Sequence, residues 1–235
     1  NDETIISNVP NLSDVKFMIK ILESLGSKVI FEGSICRIKS SQPSDLKVSY
    51  ELVRKMRASF LILGPLLTKY GYAEVSLPGG CAIGTRPVDF HISALKKMGA
   101  EFVVEDGYIK GKVKGRLKGC EITLKKISVG ATENIIMAAT LAEGETIIKN
   151  AACEPEISDL SNFLINAGAE IKGHGTNIIK IKGKKKLRGC EFSVMPDRIE
   201  AGTFALSVMG CSGSIILENV NDLICNHLKQ IFKPL

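Results

Sequence analysis

ESLGSKVIF (residues 23–31), KKMGAEFVV (96–104) and NAGAEIKG (166–173) decide the fold, because they are one pattern written three times. In each, an apolar helix end meets a small-residue–glycine step and then a strand. Glycine just past a helix is the usual stop, since it enters the left-handed conformation without a Cβ penalty. A second set reads KYGYAEVSL (69–77), AEGETIIKN (142–150) and CSGSIILEN (211–219), with glycine leading into a strand. In both sets each glycine lies 73 and then 69 residues from its next counterpart, which is the signature of an internal repeat.

The repeat is interrupted once. Gly144 to Asn150 and Gly213 to Asn219 each span six residues, whereas Gly71 to the matching Cys81 spans ten. The four extra residues fall inside SLPGGCAIGTRPVD (76–89), at a strand-to-helix connection. Function is commonly grafted at such a place, and a tolerated surface insertion would look the same.

Working outward, strands are expected at Thr4–Val9, Ala73–Leu77, Glu121–Leu124, Thr146–Lys149 and Ser214–Glu218. Hairpins are expected at Lys28–Lys39 around Glu32-Gly33, at Glu101–Val113 around Asp106-Gly107, and at Glu170–Ile181. Helices are expected at Asn11–Leu25, Tyr50–Lys69, Val88–Met98, Ala131–Ala142, Ile157–Asn166 and from about Glu200. Each unit thus reads β-α-β-α-β-β over roughly 70 residues, an α/β chain. The phase predicts that the chain opens halfway through a unit and closes inside a helix at residues 229–235. It is therefore expected to be part of a longer protein, or to need another chain.

Composition narrows the class. With 45% hydrophobic residues among 235, the chain can bury a substantial core. Its longest apolar runs, such as Ile135–Leu141, fall well short of the roughly 20 residues a membrane helix needs. No charged-then-apolar leader is visible. The seven cysteines (36, 81, 120, 153, 190, 211 and 225) form no C-x-x-C pair, so neither a zinc ribbon nor a thioredoxin-like site is indicated. The expected compartment is the cytoplasm. A net charge of +6 suits anionic ligands, although a run such as Lys184–Lys186 reads as a solvated loop. No aromatic-basic interleaving points to nucleic acid.

Three residues stand out before any comparison. Cys81, between two glycines and an alanine, is either a reactive thiol activated by nearby cations or a small buried hydrophobe. Arg86, just ahead of Pro87 and a helix start, offers a fork for phosphate and carboxylate, or is a surface arginine. Arg57 sits within an apolar helical stretch, where it either meets an anion or snorkels to solvent.

LPGGCAIGTRPVDFHISALKKMGA (77–100) resembles the active-site segment and following helix of the enolpyruvyl transferases that act on UDP-N-acetylglucosamine. MRASFLILGPL (56–66), KKISVGATENIIMAATLAEGETII (125–148), EPEISDLSNFLINAGAEI (154–171) and PDRIEAGTF (196–204) extend the resemblance along nearly the whole chain. It implies a fold of two inside-out α/β barrels built from β-α-β-α-β-β units. Residues 1–189 would belong to the catalytic half and 190–235 would begin the other. It implies transfer of the enolpyruvyl group of phosphoenolpyruvate to the sugar's 3-hydroxyl, the opening step of peptidoglycan synthesis, with no cofactor and no metal. Its implied partners are UDP-N-acetylglucosamine and phosphoenolpyruvate, with neither nucleic acid nor membrane.

By resemblance, Cys81 is the general acid, can form an adduct with phosphoenolpyruvate, and is the fosfomycin target. Arg86 and Arg57 would lie at the ligands. Pro87, Val88, Asp89 and Phe90 would hold the uridine and diphosphate through backbone groups, and Lys126, Ile127, Ser128 and Val129 would form a second sugar-nucleotide segment. Ser128 also reads as a helix N-cap. Phe90 stands where the family has leucine. Glu156, Asp197 and Arg198 resemble residues of the cleft or hinge, while His91 reads as a helix residue facing solvent. The family's lysine-asparagine pair is expected ahead of Asn1, and its aspartate base and a further arginine beyond Leu235, so the chain alone is expected not to turn over. A non-catalytic module of the same fold, and a shikimate-type transferase, are the alternatives.

Overall fold

A computed structural model describes residues 3–53, 56–76, 88–211 and 213–220. The chain divides into two compact units, 1–192 and 193–235. The first unit holds the strands β1 (Glu3–Ser7), β2 (Lys28–Glu32), β3 (Ile35–Lys39), β4 (Lys47–Val48), β5 (Tyr72–Ser76), β6 (Ala100–Glu105) and β7 (Tyr108–Val113). They continue with β8 (Glu121–Thr123), β9 (Glu145–Lys149), β10 (Glu170–Lys172), β11 (Ile178–Lys182) and β12 (Glu191–Ser193), which ends at the unit boundary. Its helices are α1 (Ser13–Ser24), α2 (Tyr50–Val53), α3 (Leu63–Tyr70), α4 (Asp89–Lys97), α5 (Val129–Ala139) and α6 (Pro155–Asn166), with a 3-10 helix at Arg57–Ile62. The described part of the second unit contains α7 (Arg198–Cys211), capped by Asp197, whose carboxylate accepts from the Ile199 and Glu200 amides.

The strands form three four-stranded sheets, β4-β5-β7-β6, β8-β9-β11-β10 and β12-β1-β3-β2. In the first two, the opening strand runs parallel to the second, and the hairpin strands follow antiparallel. The third sheet keeps the order with β12 in the place of β4 and β8. The restart of the pattern at Cys190 therefore supplies the strand that the first repeat lacks, and the Ile5 amide donates to the Cys190 carbonyl at 2.9 Å.

Alternation within the sheets shows which face is inside. Cys36 on β3, Ile109 on β7, Ile148 on β9, and Ile179 and Ile181 on β11 are buried, while their strand neighbours are more open. Helix α5 is apolar nearly all round, with Ala131, Ile135, Ile136, Ala138 and Ala139 wholly buried, as a helix enclosed by other elements must be. Helix α5 packs against α3, α4 and α6. Gly26, Gly99 and Gly168 close their helices at φ of 87°, 100° and 101°, and their amides donate back to Glu23, Lys96 and Ile165.

Three details depart from the sequence pattern. Tyr50–Lys69 is not one helix, since it breaks into α2, the 3-10 helix and α3. Met56 is extended at φ −147°, ψ 119°, and Pro65 has no amide to offer the Leu61 carbonyl. The first hairpin turns on Gly33-Ser34 rather than Glu32-Gly33, because Glu32 still pairs with Ile35. Ser214–Glu218 is not a strand: no described strand pairs with it, and without a ladder Ile216 is left 87% exposed. The expected helix at residues 229–235 lies outside the described residues. Among the described residues, no helix is long and apolar enough to cross a membrane.

Candidate functional site

Two elements of the first unit, the 3-10 helix and α5, converge on His91 in the first turn of α4. It is 8% exposed, so the sequence reading of a solvent-facing helix residue is corrected: an apolar pocket takes up the imidazole instead. Phe60 of the 3-10 helix meets it edge to face, with centroids 5.3 Å apart at 85°. From α5, the Asn134 amide nitrogen lies 3.0 Å from His91 Nδ1. A Cβ on Gly130, in the first turn of α5, would sit 3.4 Å from His91 Cε1 and 3.6 Å from Nε2. Burial, and then the Arg57 guanidinium, push the His91 pKa down to about 4, against the opposing pull of Asp89.

Asn134, wholly buried, explains the broken helix. In a continuous α-helix the Gly64 amide would donate to the Phe60 carbonyl. Instead the Gly64 amide donates to Asn134 Oδ1 at 2.8 Å, and Asn134 Nδ2 donates to the Phe60 carbonyl at 3.3 Å. A side-chain carboxamide has entered the ladder where one backbone bond would be, a recognised cause of helix breaks. Gly64 is required there, because a Cβ would sit 2.7 Å from the Asn134 carbonyl oxygen. The break leaves Arg57 as the first residue of the 3-10 helix, half-buried.

The expected site residues fall into place unevenly. Val88 takes the N-cap position of α4 with φ −92° and ψ 2°, and Asp89 follows as the acidic first residue. Phe90 is partly buried against the core. Ser128 is an N-cap, its hydroxyl accepting from the Ala131 amide at 3.3 Å, as one of its two sequence readings proposes. Val129 opens α5, while Lys126 and Ile127 are exposed just ahead of it, Ile127 at 61%. Gly130 in the first turn of α5 thus lies against His91, and the charges of Arg57 and Asp89 act on the ring. Cys81, Arg86 and Pro87 lie outside the described residues. The described chain ends on one side at Ser76, buried at the end of β5, and resumes at Val88.

Sequence reasoning missed Asn134, His91 as a buried group, and Glu133. Glu133 is partly buried on α5, and desolvation followed by the carboxylates of Glu156 and Glu154 raises its pKa. The signal for Asn134 was available: it is a lone amide in the apolar run ENIIMAA (133–139). Among the described residues, no three His, Cys, Asp or Glu side chains are placed to hold a metal ion.

A family model described as EPSP synthase (3-phosphoshikimate 1-carboxyvinyltransferase) matches residues 1–234. The chain belongs to the EPSP synthase family. A member from Shewanella sediminis (strain HAW-EB3) named UDP-N-acetylglucosamine 1-carboxyvinyltransferase is 55% identical over 212 residues, 90% of this chain and 51% of its own length. A protein of the same name from Coxiella burnetii (strain Dugway 5J108-111) is 52% identical over 220 residues, 93% of this chain and 51% of its own. The chain spans about half the length of the curated relatives it matches. Among solved structures, the enolpyruvyl transferase NikO from Streptomyces tendae matches with a TM-score of 0.75 at 20% identity, covering 86% of this chain and 48% of that one. An EPSP synthase from Acinetobacter baumannii matches with the same TM-score at 22% identity, covering 98% and 54%. At that identity the likeness is one of fold, and it is the fold that the sequence resemblance implies.

Proposed function

We propose that the chain carries the sugar-nucleotide and Cys81 portion of a UDP-N-acetylglucosamine 1-carboxyvinyltransferase. The observation that carries this reading is the 55% identity to a relative of that name over 90% of the chain. The structure is compatible with it: His91 in the first turn of α4 lies beside Gly130 in the first turn of α5, the Arg57 charge acts on the same ring, and helix N-termini offer amides to an anion. Residues 1–189 form the catalytic half and 190–235 open the second.

In the reaction, the 3-hydroxyl of UDP-N-acetylglucosamine gives up its proton to a general base as its oxygen attacks C2 of phosphoenolpyruvate, while a proton is added at C3. A tetrahedral ketal results. Loss of the C3 proton and of inorganic phosphate then restores the double bond. Cys81 is the acid that delivers the C3 proton, and Arg86 and Arg57 hold the anionic groups, whose charge preorganised cations stabilise without a metal. Val88, Asp89 and Phe90, with Pro87, hold the uridine and diphosphate, and Lys126 to Val129 hold the other side of the nucleotide. Both substrates are soluble cytoplasmic metabolites, which places the reaction in the cytoplasm.

The test is alkylation by fosfomycin, mapped by peptide over all seven cysteines, with and without UDP-N-acetylglucosamine. Labelling confined to Cys81 and altered by the nucleotide is expected. Uniform labelling of the exposed Cys153 and Cys211 along with Cys81 would refute the assignment. The family description favours one second reading, a shikimate-type transferase. Calorimetry separates the two, since binding of shikimate 3-phosphate in place of UDP-N-acetylglucosamine would select the second.

A further inference from the structure

Asn134 lies in no stretch that the sequence marks as a ligand segment, yet its carboxamide joins α3, the 3-10 helix that opens at Arg57, and α4. Its orientation is set by backbone groups that cannot reverse roles. The Gly64 amide can only donate, so it must meet Oδ1, and the Phe60 carbonyl can only accept, so it must meet Nδ2. The second hydrogen of Nδ2 is then directed at His91, 3.0 Å away, and Nδ1 must be the acceptor. The neutral imidazole therefore carries its proton on Nε2, the edge that lies beside Gly130 in the first turn of α5. The charged groups acting on the ring are Arg57, from the 3-10 helix, and Asp89, from the histidine's own helix.

We propose that Asn134 is a positioning residue of the sugar-nucleotide site. Its carboxamide holds the turn that begins at Arg57 against α4 and fixes His91 as the Nε2–H tautomer facing the N-terminus of α5. The carboxamide does this with every strong contact it makes. One oxygen contact holds α3, one nitrogen contact holds the 3-10 helix, and the other holds α4. Nothing else described on α5 bonds to all three. Arg57, the Val88–Phe90 turn and the Ser128–Gly130 turn are carried on separate stretches of chain. Their relative placement to within a fraction of an ångström matters for a ligand that touches all of them. The role as a nucleotide site rests on the functional reading above; the tautomer does not.

The experiment uses full-length protein with labelled histidine, and compares wild type with Asn134→Asp and Asn134→Leu. Long-range proton–nitrogen correlation spectra read the His91 tautomer without ligand. Wild type is expected to show Nδ1 unprotonated and Nε2 protonated. Asn134→Asp keeps the acceptor for Gly64 but offers a carboxylate to His91, so the ring is expected to protonate Nδ1. In steady-state kinetics that variant is expected to raise the KM for UDP-N-acetylglucosamine by about three- to tenfold, the effect of losing one neutral hydrogen bond, with a smaller change in kcat. Asn134→Leu, close in volume but without polar atoms, is expected to show the same KM loss without a forced Nδ1 proton.

A wild-type ring protonated on Nδ1 would overturn the proposal, as would a tautomer indifferent to Asn134→Asp. So would variants that lose thermal stability but keep the wild-type KM. Failure of wild type to bind UDP-N-acetylglucosamine would overturn the functional reading instead, and the ligand-free spectra tell these failures apart.

Discussion

Lowering the pH from 7 to 4.5 should destabilise the first unit through His91, and the amount follows from its burial. The ring ordinarily titrates at 6.5 and is held to about 4 here, first by desolvation and then by the Arg57 charge. Above 6.5 the ring is neutral in both folded and unfolded chains and nothing is lost. Between 6.5 and about 4 the unfolded chain takes a proton that the folded chain refuses, so stability falls as the pH falls. Below about 4 both forms are protonated and the loss is complete. The interval corresponds to about 3 kcal/mol, most of it reached by pH 4.5, against a domain stability of about 5–15 kcal/mol. Glu133 works in the opposite sense. Its raised pKa makes the folded chain take a proton first, so its contribution is full at low pH and disappears as the pH rises through its folded value. The raw curve mixes the two. His91→Gln keeps an acceptor for Asn134 and removes the titration, so the difference between wild-type and variant urea melts at pH 7, 6, 5 and 4.5 isolates the histidine. The gap should move by about 2–3 kcal/mol in favour of the variant as the pH drops. Parallel curves, or a His91 Cε1 proton resonance titrating near 6.5, would refute the placement of the ring in a dry pocket beside a cation.

Two further substitutions test the frame around that pocket. Gly64→Ala would drive a methyl against the Asn134 carbonyl, which as α5 backbone cannot rotate away, and overpacking of this kind costs about 1–3 kcal/mol, read by thermal or urea unfolding. Wild-type stability in that variant would mean that α3 and α5 are not in close contact. Arg116 donates to the carbonyls of Leu141, Ala142 and Lys184 at 2.7–3.2 Å, closing the C-terminal end of α5 against the following loop. Arg116→Met should cost about 2–3 kcal/mol by leaving those carbonyls unpaired, while leaving nucleotide affinity unchanged, since the damage lies at the end of α5 opposite Ser128. Calorimetry alongside the melts checks both halves of that statement.

The repeat was readable because it is written in residues whose conformation is nearly forced. Glycines at positive φ end α1, α4 and α6, and Asp106-Gly107, at φ of 52° and 77°, closes the β6–β7 hairpin. Alternation along β7, β9 and β11 gave the buried face of each sheet. Long-range partners were not readable. Tyr50–Lys69 has helical periodicity throughout, and the amide that takes the place of one of its backbone bonds comes from Asn134, 70 residues beyond Gly64. Ser214–Glu218 has the composition of a strand, but a strand exists only with a partner, and composition does not name one. The two residues of β4 are too few for any period to show.

The repeat also shows where its second copy departs from the others. Asn8, Asn150 and Asn219 adopt φ of 57°, 57° and 54° in three copies of the unit, the first two directly after β1 and β9. Asparagine is the residue, after glycine, that best tolerates this left-handed turn. Asn8 and Asn150 each lie 18 residues ahead of a helix-ending glycine, Gly26 and Gly168, and the residue 18 ahead of Gly99 is Cys81. A scaffold asparagine is therefore replaced by a thiol at the one point where four residues have been added. The repeat's own geometry asks for a turn-former there, and the second copy keeps neither the spacing nor the residue. The turns at Val88–Phe90 and Ser128–Gly130 stand at the starts of α4 and α5. A fold that fixes two helix N-termini and a buried histidine supplies the rigid frame on which binding an anionic ligand depends.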